Sequence, residues 1–258
     1  MSLAASAVPT KGPLLFDAPA PVLLPVAGRP ESFPVHRIYC VGRNYADHAR
    51  EMGYTGREPP FFFMKPADAL LVVDEGTVGA MPYPALTRNL HHEVELVVAL
   101  GKGGRNIKAA GALDLVFGYA VGLDMTRRDL QNQMKKEGRP WEIGKAFEHS
   151  GPIGPIAPKE AVPDIASAAI ALTVNGSVRQ QGSIAQLIWN IAETIEHLSA
   201  AWELRPGDLI FTGTPEGVGP VTARDLLVGT IAGLAELRIR IDPDDSPEGH
   251  RLAGAAGE

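Results

Sequence analysis

The sequence predicts an α+β fold, a mixed β-rich roll with few helices. Short apolar runs of strand length recur between residues 36 and 241. Turn signals separate them, within a chain of 28 glycines and 22 prolines. Helical periodicity is sustained in one long stretch, and strands and helices follow no strict βαβ rhythm.

The elements follow in order. Residues 1–35 are rich in Ala and Pro, as in DAPAPVLLPVAGRPESFP, and read as a frayed start followed by an extended arm over the main domain. Residues 36–242 form that domain. Its strand runs are RIYCVG, PFFFMK, LLVV, HEVELVVALG, FGYAVGLDM, IALTVNG, DLIFTGT and LAELRIRI. NG at 175–176 and PGD at 206–208 are turns between them. A helix is expected to begin at Asn44, and a short one to span Ala109 to Val116. A long one is expected from Ser183 to about Trp202, where Ile184, Leu187, Ile188, Ile191, Ile195 and Leu198 recur at helical spacing. Ser183 and Gln186 have the form of a capping box. Residues 243–258 have the composition of a disordered tail.

Charge and cysteine usage exclude several classes. The formal net charge is -6, which gives no nucleic-acid footprint. The one cysteine, Cys40, permits no internal disulfide and lies in an apolar run, where it reads as a buried thiol. No stretch reaches the roughly 18 apolar residues of a membrane span. The N-terminal stretch lacks the basic-then-apolar pattern of a secretory signal. A cytoplasmic protein is expected.

Chemistry concentrates in few places. Within NLHHEVELVVALG, side chains alternate along a strand, so His92, Val94, Leu96 and Val98 share one face and Glu93, Glu95, Val97 and Ala99 the other. Strand spacing alone sets the two carboxylates roughly 6 to 7 Å apart. Such a pair faces water, pairs with Arg or Lys, or holds a dication. Asp124, closing the run VFGYAVGLDM, adds a third acid at a strand end. Two Glu and one Asp make a hard oxygen site that suits Mg²⁺, Mn²⁺ or Ca²⁺ rather than zinc. His91 and His92 neighbour it and read as packing, or as groups behind the ligands, rather than as ligands.

In GRNYADHAREMG, His48 and Glu51 are three apart and share a helix face. That spacing fits an exposed face, and also a general base oriented by a carboxylate. Gly42 and Gly53 flank the segment as hinges would. Lys145, in IGKAF, sits between apolar neighbours and requires an anion beside it. LIFTGTPEGVGP runs from a strand into a Gly-rich turn without the Lys of a phosphate loop.

Seven stretches, in order over about residues 36–240, resemble the fumarylacetoacetate hydrolase family: CVGRNYADHAREMG, FFMKP, TRNLHHEVELVVALGK, GYAVGLDMTRRDLQ, GRPWEIGKAFEHSGPIGP, VNGSVRQQGS and LRPGDLIFTGTPEGVGPV. Within the family the chain is similar to the short acylpyruvase branch, and its opening to the bacterial fumarylpyruvate hydrolases. The resemblance implies a mixed β-roll, a homodimer, and one Mg²⁺ or Mn²⁺ per subunit on Glu93, Glu95 and Asp124. It implies a lid whose His and Glu match His48 and Glu51, with Lys145 and Gln131 as further catalytic residues. Arg128, as the Arg of the D-x-T-x-R-D motif, and Thr214 in TGTP would bind substrate.

The implied reaction is metal-dependent cleavage of a C–C bond in a 2,4-dioxo acid, above all fumarylpyruvate to fumarate and pyruvate in aromatic catabolism. The far carboxylate of that substrate needs a cation, for which Arg43, Arg127 and Arg139 are candidates. The same site chemistry also supports oxaloacetate decarboxylation or 2-hydroxyhepta-2,4-dienedioate isomerisation and decarboxylation. A non-catalytic metal-binding protein would account for the three acids and leave His48, Gln131 and Lys145 without a role.

Overall fold

The computed structural model describes residues 13–45 and 57–243. It is a strand-rich α+β fold built on an eight-stranded mixed sheet and a five-stranded mixed sheet, with two small sheets beside them. Among the described residues there are four α-helices, Ala109–Ala112, Arg128–Glu137, Glu142–Lys145 and Ile191–Ala201.

The strand Val94–Leu100 lies inside the larger sheet, antiparallel to Leu209–Phe211 on one side and to Val116–Leu123 on the other. Both its faces are buried. Val94, Leu96, Val98 and Leu100 enter the larger core, which also takes Ile170, Leu172, Leu227, Ile239 and Ile241 of the five-stranded sheet. Val97 and Ala99 face a second core, with Leu24, Val26, Phe33 and Val35 of the N-terminal segment. A strand covered on both faces reads as a continuous apolar run, so an acid inside it is a deliberate feature.

All eight strand runs read from the sequence are strands. The run around the acids is broken, however. Leu90–His92 pairs with Thr126–Arg127 and Gly219–Val221 in a three-stranded sheet, and Val94–Leu100 belongs to the large one. Glu93 is the joint, and its carbonyl accepts from the Asp124 amide at 2.9 Å. One long strand would have kept all its residues in a single ladder. The break turns the chain between two sheets and brings Asp124 beside the Glu pair.

The long helix is also divided. The capping box of Ser183 and Gln186 forms, but closes only the 3-10 turn Ile184–Gln186. A second capping box, Asn190 with Glu193, starts the helix Ile191–Ala201. Between them the Asn44 carboxamide accepts from Trp189 N at 2.8 Å and donates to Trp189 O at 2.9 Å. Those side-chain bonds, and the bridge of Leu187 to Tyr45, hold the backbone out of a helix. The shorter expected helix also ends early, with Ala109–Ala112 α-helical and Leu113–Leu115 a 3-10 turn. Asn44 and Tyr45 are not helical, and the rest of the helix expected from Asn44 lies outside the described residues.

Candidate active site

The two halves of the broken run, the end of Val116–Leu123 and the turn after Leu209–Phe211 meet at one pocket. Glu93, Glu95 and Asp124 each offer it a carboxylate oxygen, all within 4.8 Å of one another. That is closer than strand spacing alone provides, because Glu93 sits at the break and Asp124 crosses from the neighbouring strand. All three are buried.

Cations surround two of the acids. Lys145 Nζ donates to Glu93 at 2.8 Å, to Asp124 at 2.6 Å and to Thr126 Oγ1 at 2.7 Å. Arg128 forms a close ion pair with Glu93. Lys65 Nζ lies 2.8 Å from the second Asp124 oxygen and also donates to the Lys145 carbonyl. Burial alone would lower the pKa of Lys145, but Asp124 and Glu93 raise it, so the ammonium stays charged.

Glu95 differs. It accepts from the Gly213 amide at 2.7 Å, and among the described residues no Lys or Arg pairs with it. Burial, then the Asp124 and Glu93 charges, push its pKa well above the usual carboxylate value. A hard dication answers that imbalance: three converging carboxylates, one without a cation partner, fit Mg²⁺ or Mn²⁺.

Short helices position the remaining groups. Arg128 and Gln131 lie three apart on the helix Arg128–Glu137 and share a face. Arg128 Nη1 donates to Gln131 Oε1 at 2.5 Å. Since guanidinium only donates, this fixes the amide and leaves Gln131 Nε2 as the available donor. Arg128 Nε donates to His91 Nδ1 at 3.3 Å. Burial and the Arg128 charge lower the His91 pKa to about 4, so the imidazole is neutral. Glycine at 144 lets the next helix pack closely, since a Cβ there would lie 2.9 Å from Gln131 N. That contact places Lys145 at the acids.

Phe61, Phe63 and Trp141 form an aromatic wall of the pocket, with the Phe61 and Trp141 ring centroids 5.2 Å apart, edge to face. Arg43 also lines the pocket, its guanidinium 5.2 Å from the Phe61 ring centre. Thr214 lines the same pocket. Its N–H makes no hydrogen bond among the described residues, although the residue is 3% exposed. A buried N–H without a partner is uncommon and marks a place where a ligand oxygen fits.

The model of the family described as fumarylacetoacetate hydrolase C-terminal matches residues 37–242. This chain belongs to the fumarylacetoacetate hydrolase family. The fumarylpyruvate hydrolase of Pseudomonas aeruginosa, solved with Mn²⁺ and pyruvate, is 56% identical and superposes with a TM-score of 0.88. That match covers 90% of this chain and 100% of the other. The fumarylpyruvate hydrolase of a Ralstonia species is 45% identical over 186 residues, 72% of this chain and 94% of that protein. The mitochondrial oxaloacetate tautomerase FAHD1 of Mus musculus is 46% identical over 204 residues, 79% of this chain and 90% of that protein.

Of the residues read from the sequence, Glu93, Glu95, Asp124, Lys145, Gln131, Arg128, Arg43 and Thr214 line the one pocket. Arg127 does not. Its guanidinium lies 4.2 Å from the Phe147 ring centre and donates to the Ile143 carbonyl at 3.3 Å. The backbone direction at the helix start sends consecutive arginines apart, so only Arg128 reaches the acids. Arg139 pairs with Glu137 on the surface, away from the pocket. His48 and Glu51 lie outside the described residues. Sequence reasoning passed over Lys65, although a lysine inside FFFMKP carries the same signal as Lys145. It also missed the aromatic wall, because two separate segments, the strand Phe61–Lys65 and the bend at Trp141, build it.

Proposed function

We propose that this chain is a metal-dependent hydrolase of 2,4-dioxo acids, with fumarylpyruvate as its substrate. The observation that carries this reading is the lining beyond the acids. Phe61, Phe63, Trp141 and Arg43 line the same pocket as the carboxylate cluster, with the Arg43 guanidinium over the Phe61 ring. A flat unsaturated acyl chain suits the aromatic wall, and Arg43 suits a carboxylate at its far end.

Glu93, Glu95 and Asp124 would hold the divalent cation, which when bound supplies a Lewis acid for charge developing on the 2-oxo group. The Thr214 N–H donates to the substrate carboxylate. The Gln131 amide donates to the oxyanion that forms at C4. Lys145 keeps all three of its N–H donors on Glu93, Asp124 and Thr126, so its part is to hold the acids in place and supply positive charge. His48, with Glu51 as the partner that the family resemblance implies, would take a proton from water, whose oxygen bonds to C4. The C3–C4 bond then breaks, its electron pair leaves with the pyruvate portion, and a proton completes pyruvate and fumarate.

A second reading is keto–enol conversion of oxaloacetate, supported by the similarity to the mammalian tautomerases. That substrate lacks the unsaturated acyl chain that suits the aromatic wall. The test follows loss of the dioxo-enol absorbance of fumarylpyruvate and acetylpyruvate, and tautomerisation of oxaloacetate, with Mg²⁺, Mn²⁺ or a chelator. Metal-dependent pyruvate release, faster on fumarylpyruvate and slowed at least tenfold on that substrate alone by Arg43→Ala, supports the hydrolase. Turnover confined to oxaloacetate, retained in His48→Ala, overturns it.

A further inference from the structure

We infer that Gln180 is a positioning residue that sets the substrate-carboxylate subsite against the metal-binding strand. The inference rests on the reading of Thr214 given above. The strand Ser177–Ser183 is mostly exposed polar residues, and Gln180 is its one fully buried member. Its hairpin with Ala169–Val174 turns through Asn175 and Gly176, both at positive φ. The register shifts between Leu172 and Thr173: Leu172 faces Gln180, Thr173 faces Val178, and Arg179 is left over. Such a bulge re-aims a side chain. Here it presses the Arg179 carbonyl on Gly217, where any Cβ would collide with it, and sends Gln180 inward.

The Gln180 carboxamide spans the gap between two parts of the site and uses every bonding position. Its oxygen accepts from Val94 N at 3.0 Å and bonds His92 Nδ1 at 2.9 Å. Its nitrogen donates to Thr214 Oγ1 at 2.7 Å and to Pro215 O at 2.8 Å. Val94 N–H can only donate and the Pro215 carbonyl can only accept, so the amide has one orientation. His92 therefore carries its proton on Nδ1. Thr214 Oγ1, accepting from Gln180, donates its own proton to Val94 O at 2.8 Å.

Two consequences follow. The Thr214 hydroxyl is committed to the backbone beside Glu93 and Glu95, and cannot donate to a substrate anion. The Thr214 N–H is the donor left, and Gln180 fixes its place relative to those acids. The end of the ladder with Leu209–Phe211 creates this need: Val94 faces that side, as Leu96 and Leu100 do in their bonds to Thr212 and Asp208, and without Gln180 its buried N–H would have no partner.

The test compares wild type with Gln180→Met, Gln180→Glu, Thr214→Val and the Gln180→Met/Thr214→Val pair. Gln180→Met removes all four bonds. Gln180→Glu keeps both accepted bonds at Val94 and His92 and loses donation to the turn, so it separates the two halves even where the Met variant folds poorly. Mn²⁺ affinity, pyruvate affinity of the Mn²⁺-loaded protein, and KM and kcat on fumarylpyruvate are measured for each.

The expected result is pyruvate affinity weakened and KM raised about tenfold in both Gln180 variants, with Mn²⁺ affinity within about twofold of wild type. The paired variant should be no worse than the poorer single one, since Gln180 acts through Thr214. Unchanged pyruvate affinity in folded variants overturns the inference, as does a parallel loss of Mn²⁺ affinity. Wild type that binds Mn²⁺ but not pyruvate overturns the subsite itself. Wild type that binds both and does not cleave fumarylpyruvate overturns the proposed reaction and leaves the role of Gln180 to be read from pyruvate binding.

Discussion

Glu95 carries an electrostatic cost at neutral pH that a bound cation would offset. It lies among buried acids, and the two available lysines and Arg128 go to Glu93 and Asp124. Its folded pKa is raised by burial and by those acids above the ordinary value of 4.5. The contribution of such a group to stability is complete below about pH 4.5 and is lost as pH rises through the folded value. In metal-free protein, Glu95→Gln should remove that loss. The variant's unfolding midpoint in chelator should therefore exceed wild type by a margin that grows from pH 5 to pH 8. With saturating Mn²⁺ the order should reverse. Thermal unfolding with and without metal across that range checks both signs.

At the scale of elements, the site depends on interruptions. A strand that stops at Glu93, a hairpin that bulges at Arg179 and a helix that starts again at Asn190 each turn a side chain inward or free a backbone group. The restart rests on the capping box of Asn190 and Glu193, with Glu193 N donating to Asn190 Oδ1 at 3.0 Å. Asn190→Ala should lower stability by about 1 kcal/mol in denaturant unfolding. Its KM and kcat should stay at wild-type values, because Asn190 does not line the catalytic pocket. A periodic stripe could not reveal that restart, since Leu187, Ile188 and Ile191 keep their spacing on both sides of it.

At the scale of the whole molecule, two cores among the described residues lie on the two faces of the eight-stranded sheet, with the acids at the ends of its strands Val94–Leu100 and Val116–Leu123. Leu96 is fully buried in the larger core, and Leu96→Ala should cost about 2–5 kcal/mol through lost burial and a cavity. A metal held by that sheet's strands couples binding to global stability. Mn²⁺ at about a hundredfold its dissociation constant should add about 2.7 kcal/mol and raise the melting midpoint, and chelator should reverse it. No helix among the described residues is long and apolar enough to cross a membrane.

By itself the sequence determined the strand-rich class, the eight apolar runs that became strands, the turn at Asn175 and Gly176, and the three acids that converge. Those are local: alternation, turn chemistry and a misplaced charge are written in a few consecutive residues. Tertiary structure alone decided that Arg43 rather than Arg127 reaches the pocket, that Lys65 joins Lys145 at Asp124, and that Phe61 meets Trp141. It also decided that Gln180, in a strand of solvent-exposed polar residues, ties the turn at Thr214 to the strand at Val94. These pairings join segments 21 to 120 positions apart. They were set by which buried donors and acceptors had to find partners once the sheets closed, and no local pattern records that requirement.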